Sequence, residues 1–191
     1  MTQNVIFFDT EFTSWEGAQA SNWGEDWQYR ELVQIGAIRF DIVNMVEIDS
    51  FDILIQPVKN PVLSDYFIDL THITNEELKQ SAMPFKQAYD QFIDYIKDGD
   101  IYSYGGDDSI INENRALYEL EDQIPLIKGN DISPWFKEQG IDTSKINSGA
   151  LATHLGVDVV IKEHNATEDA RSIALAFKEL MKRGHKSPFL K

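Results

Sequence analysis

A chain of 191 residues, 42% of them apolar and none of them cysteine, suits one globular domain with a sizeable core and excludes a disulfide framework or a thiolate metal site. Seventeen Lys and Arg stand against 32 Asp and Glu, a formal net charge of -15, which argues against tight binding of long polyanions through a basic surface. No apolar run approaches the roughly 18 residues of a membrane span, and Met1-Thr2-Gln3-Asn4 lacks the pattern of a signal peptide, so a cytoplasmic protein without membrane contact is expected.

Val5-Ile6-Phe7-Phe8 reads as a buried strand that delivers Asp9-Thr10-Glu11-Phe12-Thr13 at its end. Residues two apart on a strand share a face, so Asp9 and Glu11 project side by side. Two adjacent anions raise each other's pKa unless a cation lies between them, and a hard divalent ion is the natural candidate. Ser14 to Arg30 reads as an exposed insertion carrying Trp15, Trp23, Trp27 and Tyr29. These aromatics either anchor the loop on the core or form a platform for a flat ligand.

Glu31 to Phe40 and the alternating stretch Val46 to Gln56 (Ile48, Phe51, Ile53, Ile55) read as two further strands joined at Val43-Asn44-Met45. Pro57 and Pro61 open a loop that contains His72. Thr74 with Glu77 three residues on forms a capping box that starts a helix. Another helix follows from Pro84 to about Lys97, with Phe85, Ala88, Tyr89, Phe92, Ile93 and Ile96 on one stripe.

Asp100 to Tyr104 predicts a strand, ended by Gly105-Gly106, and the next helix begins at Asp107-Asp108. Asp107 lies on the line of Ile110, Ile111, Asn114, Leu117 and Tyr118 and so points inward, whereas Asp108 falls off that stripe. Ile132 to Gln139 and Ser148 to Leu155 read as shorter helices ended by glycine. Val157 to Ile161 is either a short strand or the approach to the last helix. That helix is capped by Asn165, with Glu168 reaching back, and runs to about Lys182. Asp169 lies one turn ahead of Ile173 on its apolar stripe, and His164 stands five residues before Asp169. His154 and His185 are expected to face solvent.

Asp9, Glu11, Asp107 and Asp169 thus stand at element ends among apolar neighbours, joined by His164. This set resembles the DEDD exonucleases, specifically their histidine-containing subclass: D-x-E at Asp9-Thr10-Glu11, an acid opening a helix at Asp107, and H-x4-D from His164 to Asp169. Leu70-Thr71-His72-Ile73-Thr74 is similar to a further element of the family, and the likeness runs from about residue 4 to 182. One more residue after the glycines, as in some members, would make Asp108 the middle acid instead.

The resemblance implies an α/β fold of the ribonuclease-H-like kind, with a mixed five-stranded sheet flanked by helices. It implies two Mg2+ or Mn2+ ions held by Asp9, Glu11, Asp107 and Asp169, with Asp9 bridging, and His164 as general base. Thr10, Phe12 and Thr13, which surround the two acids, are expected to contact substrate. The implied activity is 3′-to-5′ removal of mononucleotides from single-stranded RNA or DNA ends. RNA stands slightly ahead, because Ser103-Tyr104-Gly105 is similar to an RNA-processing branch of the family. An end-binding enzyme needs a pocket for only a few nucleotides, which accommodates the acidic charge. Two alternatives are a catalytically silent nucleic-acid or protein-binding module on the same fold and a phosphodiesterase of short oligonucleotides.

Overall fold

The structure, a computed structural model, describes residues 3–97 and 99–189. Five strands form one mixed sheet in the order β3-β2-β1-β4-β5: β1 is Asn4–Phe12, β2 Leu32–Asp41, β3 Val46–Leu54, β4 Asp100–Ser103 and β5 Asn130–Asp131. β1, β2 and β3 are antiparallel neighbours, while β4 runs parallel to β1 and β5 parallel to β4. The helices are α1 (Asp65–Thr71), α2 (Asn75–Ser81), α3 (Phe85–Ile96), α4 (Asp107–Leu117), α5 (Ser133–Glu138), α6 (Leu151–His154) and α7 (Ala166–Lys182). Among the described residues no helix is long and apolar enough to cross a membrane.

The period of two along β1 divides the core between two layers of helices. Val5 and Phe7 face one layer, where Ile38 and Phe40 meet Phe136 of α5, Leu151 of α6 and Ile173 and Phe177 of α7. Ile6 and Phe8 face the other, against Phe85, Tyr89 and Phe92 of α3 and Ile110 and Ile111 of α4. Continuing the alternation past Phe8 sends Asp9 and Glu11 toward the α7 layer and Thr10 toward α4.

The head of α7 lies unusually close to the sheet, and Gly36 is the reason. A Cβ at this position would sit 2.1 Å from the Thr167 nitrogen and 2.3 Å from the Ala166 carbonyl carbon, so only glycine admits the approach. Gln34, two residues earlier on β2, accepts the Ala166 N–H at 3.0 Å and fixes the helix start. On the opposite layer the buried Asn114 of α4 accepts the Leu32 N–H at 2.9 Å and donates to Arg30 O, tying α4 to the start of β2.

Several expectations change. The span after Pro57 and Pro61 is not all loop, because Ser64 caps α1 by accepting the Phe67 N–H. His72 then closes α1 in the left-handed conformation, φ 62°. The fifth strand is the two-residue β5, and of the two readings of Val157 to Ile161 the approach to the last helix holds, since the segment is no strand and leads into α7. β3 lies at the sheet edge, so Ile48 is exposed while Ile53 and Ile55 are buried. Pro84 is the cap of α3 rather than its first residue. Glu168 pairs with Arg171 instead of reaching back to Asn165, although Asn165 does cap α7. His154 is exposed, but His185 is half-buried beside Gln139, at 2.9 Å.

Candidate active site

Parallel strands β1 and β4 end on the same edge of the sheet, and the head of α4 follows β4 there directly. A crevice outside such carboxyl ends is where open α/β sheets bind ligands. Here it is a cleft of about 340 Å³ whose lining includes Asp9, Glu11, Asp107, Asp169, His164 and Ser148. Acids separated by as many as 160 residues in sequence therefore share one hollow. Among the described residues no Lys or Arg lines it.

Asp9, Glu11 and Asp169 are 7%, 9% and 4% exposed, so water does little to relieve their mutual repulsion. Burial first, and then the charges of Asp107, Asp169 and Glu11, hold the Asp9 carboxyl well above the usual carboxylate range. Glu11 is raised in the same way, by burial and by Asp169 and Asp107. Asp107 is pushed up to about 6 by burial, against the pull of Thr10, whose backbone N–H and hydroxyl both donate to Asp107 Oδ1, at 3.2 and 2.7 Å. Asp169 is pushed up to about 7, again by burial, with Glu163 and Asp107 adding to it and the His164 amide and Ser148 hydroxyl opposing it.

One Asp169 oxygen, Oδ1, is buried with no hydrogen-bond partner, while Oδ2 takes a long bond from Ser148 Oγ at 3.4 Å. Ligand atoms from Glu11, His164 and Asp169 all lie within 4.8 Å of one another. An orphaned buried oxygen, four acids whose carboxyls burial and one another's charges raise, and a neighbouring imidazole form a donor set suited to hard divalent cations. Gly149 belongs to this design, since a Cβ there would fall 2.4 Å from Asp169 Oδ1. His164 sits in the turn before α7 with φ 61°, half-buried on the cleft wall.

The two middle acids separate cleanly. Asp107 faces the cleft, whereas Asp108 Oδ2 accepts the Gly129 N–H at 3.1 Å and so anchors the segment leading to β5. Of the three residues expected to touch substrate, Thr10 lines the cleft but commits its hydroxyl to Asp107. Phe12 lines it too, leaning on Trp23 with ring centroids 5.4 Å apart. Thr13 does not: it is buried, its hydroxyl donates to Tyr29 O at 2.5 Å and accepts the Glu31 N–H at 3.0 Å, and it clamps the base of the insertion. Within the insertion, Trp23 forms part of the cleft wall and Trp15 packs edge-on against Trp27. Sequence reasoning missed Ser148, Tyr66 and Tyr104 on the cleft wall. Ser148 stands three residues before Leu151, where α6 starts, and only its spatial neighbour Asp169 reveals it.

Sheet order and two helical layers give the ribonuclease-H-like fold, and the side chains that meet in the cleft are those of the DEDDh pattern expected from the sequence. Residues 6–177 match the exonuclease family RNase_T, and the chain belongs to that family of metal-dependent nucleases. Among solved structures it is similar to the nuclease domain of 3′hExo, a DEDDh family member bound to rAMP (TM-score 0.77, 21% identity, 96% of this chain and 94% of that one). It is also similar to cell-death related nuclease 4 (TM-score 0.76, 17% identity, 96% and 65%). A third likeness is to a zinc-bound E. coli exonuclease I–ssDNA complex (TM-score 0.66, 15% identity, 95% and 41%). A curated relative, ERI1 exoribonuclease 2 of Xenopus laevis, is 27% identical over 93 residues, 49% of this chain and 12% of that protein.

Proposed function

We propose that the chain hydrolyses the last phosphodiester bond of single-stranded nucleic acid, from the 3′ end, with two divalent ions of the Mg2+ or Mn2+ kind. The observation that carries this reading is the convergence of Asp9, Glu11, Asp107, Asp169 and His164 on one cleft without a neutralising side-chain cation. When bound, such ions would supply the positive charge needed at the attacking and leaving oxygens. Asp9 and Glu11 from β1, with Asp107 and Asp169 from the heads of α4 and α7, would hold them.

The protein's own groups do the rest. His164 accepts a proton from the water that attacks phosphorus, a task to which an imidazole is suited. The P–O3′ bond breaks, a 5′-mononucleotide leaves, and the shortened strand keeps a free 3′-hydroxyl. Thr10 holds Asp107 at a fixed angle, and Ser148 does the same for Asp169. Phe12 and Trp23 offer an apolar wall for the terminal base. RNA is favoured slightly over DNA because the curated relative is named an exoribonuclease and Ser103-Tyr104-Gly105 resembles that branch.

The test is degradation of RNA and DNA oligonucleotides labelled at the 5′ end. A ladder shortening one nucleotide at a time with Mg2+ or Mn2+, stopped by EDTA, is expected. Inert protein on every substrate would instead favour a binding module. In His164→Ala, kcat should fall by about 10²-fold or more while metal affinity stays within about threefold.

A further inference from the structure

Trp23 is a wall with two sides. One lines the catalytic cleft; the other lines a second open hollow of about 370 Å³, shared with Asn22, Gln28, Tyr29, Arg30 and Glu113. The indole is held in place, donating from Nε1 to Thr13 O at 3.0 Å and leaning on Phe12. Arg30 stacks over its ring, 5.5 Å from the centroid, and pairs with Glu113 of α4. Among the described residues Arg30 is the only Lys or Arg lining either hollow, in a chain whose net charge is -15. Gln28 lines this hollow, and its buried Oε1 has no donor among the described residues, so its amide has a hydrogen bond still to make.

We infer that this second hollow is a subsite for the nucleotide immediately upstream of the scissile bond. The inference rests on the exonuclease reading for its direction: a strand whose 3′ end lies in the cleft must leave it past one wall, and Trp23 joins the two hollows. A base there stacks on the Tyr29 ring, beside the guanidinium that covers Trp23, a contact open to every base because each has a π-face. The Gln28 amide, whose terminal torsion is soft, turns to meet a base edge. Arg30 has five N–H donors in a fork that fits phosphate, and its pairing with Glu113 leaves donors free. The insertion at residues 14–30 thereby acquires a role: it carries the strand-holding surface that a single acidic cleft lacks. One cation per bound strand also predicts a shallow salt dependence, with a slope of log affinity on log salt of about -0.7 from this contact.

Binding, separately from hydrolysis, decides the matter. Oligouridylates and oligothymidylates of one, two and three nucleotides are titrated by tryptophan fluorescence with Ca2+ in place of Mg2+. In the unaltered protein Kd should fall by about tenfold or more between one nucleotide and three. Arg30→Met and Tyr29→Ala should each cut that gain to about threefold or less. Glu113→Gln, which frees the guanidinium and removes a facing anion, should tighten three-nucleotide binding by about twofold or more, an effect that misfolding cannot imitate. An undiminished length gain in Arg30→Met and Tyr29→Ala, weaker binding in Glu113→Gln, or no binding at any length overturns the subsite. Length-dependent binding of this pattern without degradation in Mg2+ or Mn2+ would instead remove the exonuclease reading and leave the subsite standing.

Discussion

Gly36→Ala is a one-methyl change on β2, and its target is the placement of the active site. The added Cβ would lie 2.1 Å from the Thr167 nitrogen, where ordinary contact begins near 3.4 Å, so the head of α7 must retreat by about 1.3 Å. The atoms in the way are helix backbone, which has no rotamer to turn aside. Overpacking of this kind costs about 1–3 kcal/mol, and the rigid obstacle puts this case at the upper end. For a chain of 191 residues that is a fall in Tm of about 6–12 °C. Asp169 sits in the first turn of α7 and His164 just before it, so both ride on the displaced segment while Asp9 and Glu11 stay on β1. A misplacement of about 1 Å in a reacting group costs about 10²-fold in rate. Thermal unfolding with kcat/KM on a short oligonucleotide measures both effects. A variant with Tm within about 2 °C and activity within about threefold of the parent would refute the claim that this contact sets the site.

Two further outcomes follow from the carboxylates. Asp107 and Asp169 are raised from an ordinary 3.8 to about 6 and about 7, so their stabilising protonated forms are complete below pH 4 and lost as pH rises through 6 and 7. Metal-free protein should therefore lose a few kcal/mol, on the order of 3, between pH 5 and pH 8, and Mn2+ should raise Tm more at pH 8 than at pH 5. Equal metal effects on Tm at the two pH values would count against the cage. Asp107→Asn should lower activity by about 10²-fold or more and weaken metal binding, whereas Asp108→Asn should leave metal affinity within about threefold and cost only about 1 kcal/mol through the lost Gly129 contact. Titration of both variants with Mn2+ separates them.

Patterns that repeat along the chain were legible before any coordinates. The apolar run into Asp9-Thr10-Glu11, the stripes of α3 and α7, and the Thr74–Glu77 capping box are all present where expected. Helical phase alone favoured Asp107 over Asp108, and the cleft takes Asp107. What escaped notice has no period to read. β5 is two residues long, and α1 buries only Phe67 and Thr71, too few to draw a stripe. The demand on Gly36 comes from Ala166 and Thr167, 130 residues away, and no local signal carries it. The aromatics of the insertion were visible as residues, but that Trp23 divides two hollows while Trp15 and Trp27 pack on each other depends on how residues 14–30 fold back.

The claim beneath all of this is that acids from β1, α4 and α7 form a single cage for divalent ions. Calorimetric titration of metal-free protein with Mn2+ at pH 8 addresses it directly. Saturable binding of two ions per chain is expected, reduced in Asp9→Asn and in Asp169→Asn. No saturable binding, or binding that both substitutions leave unchanged, would contradict it.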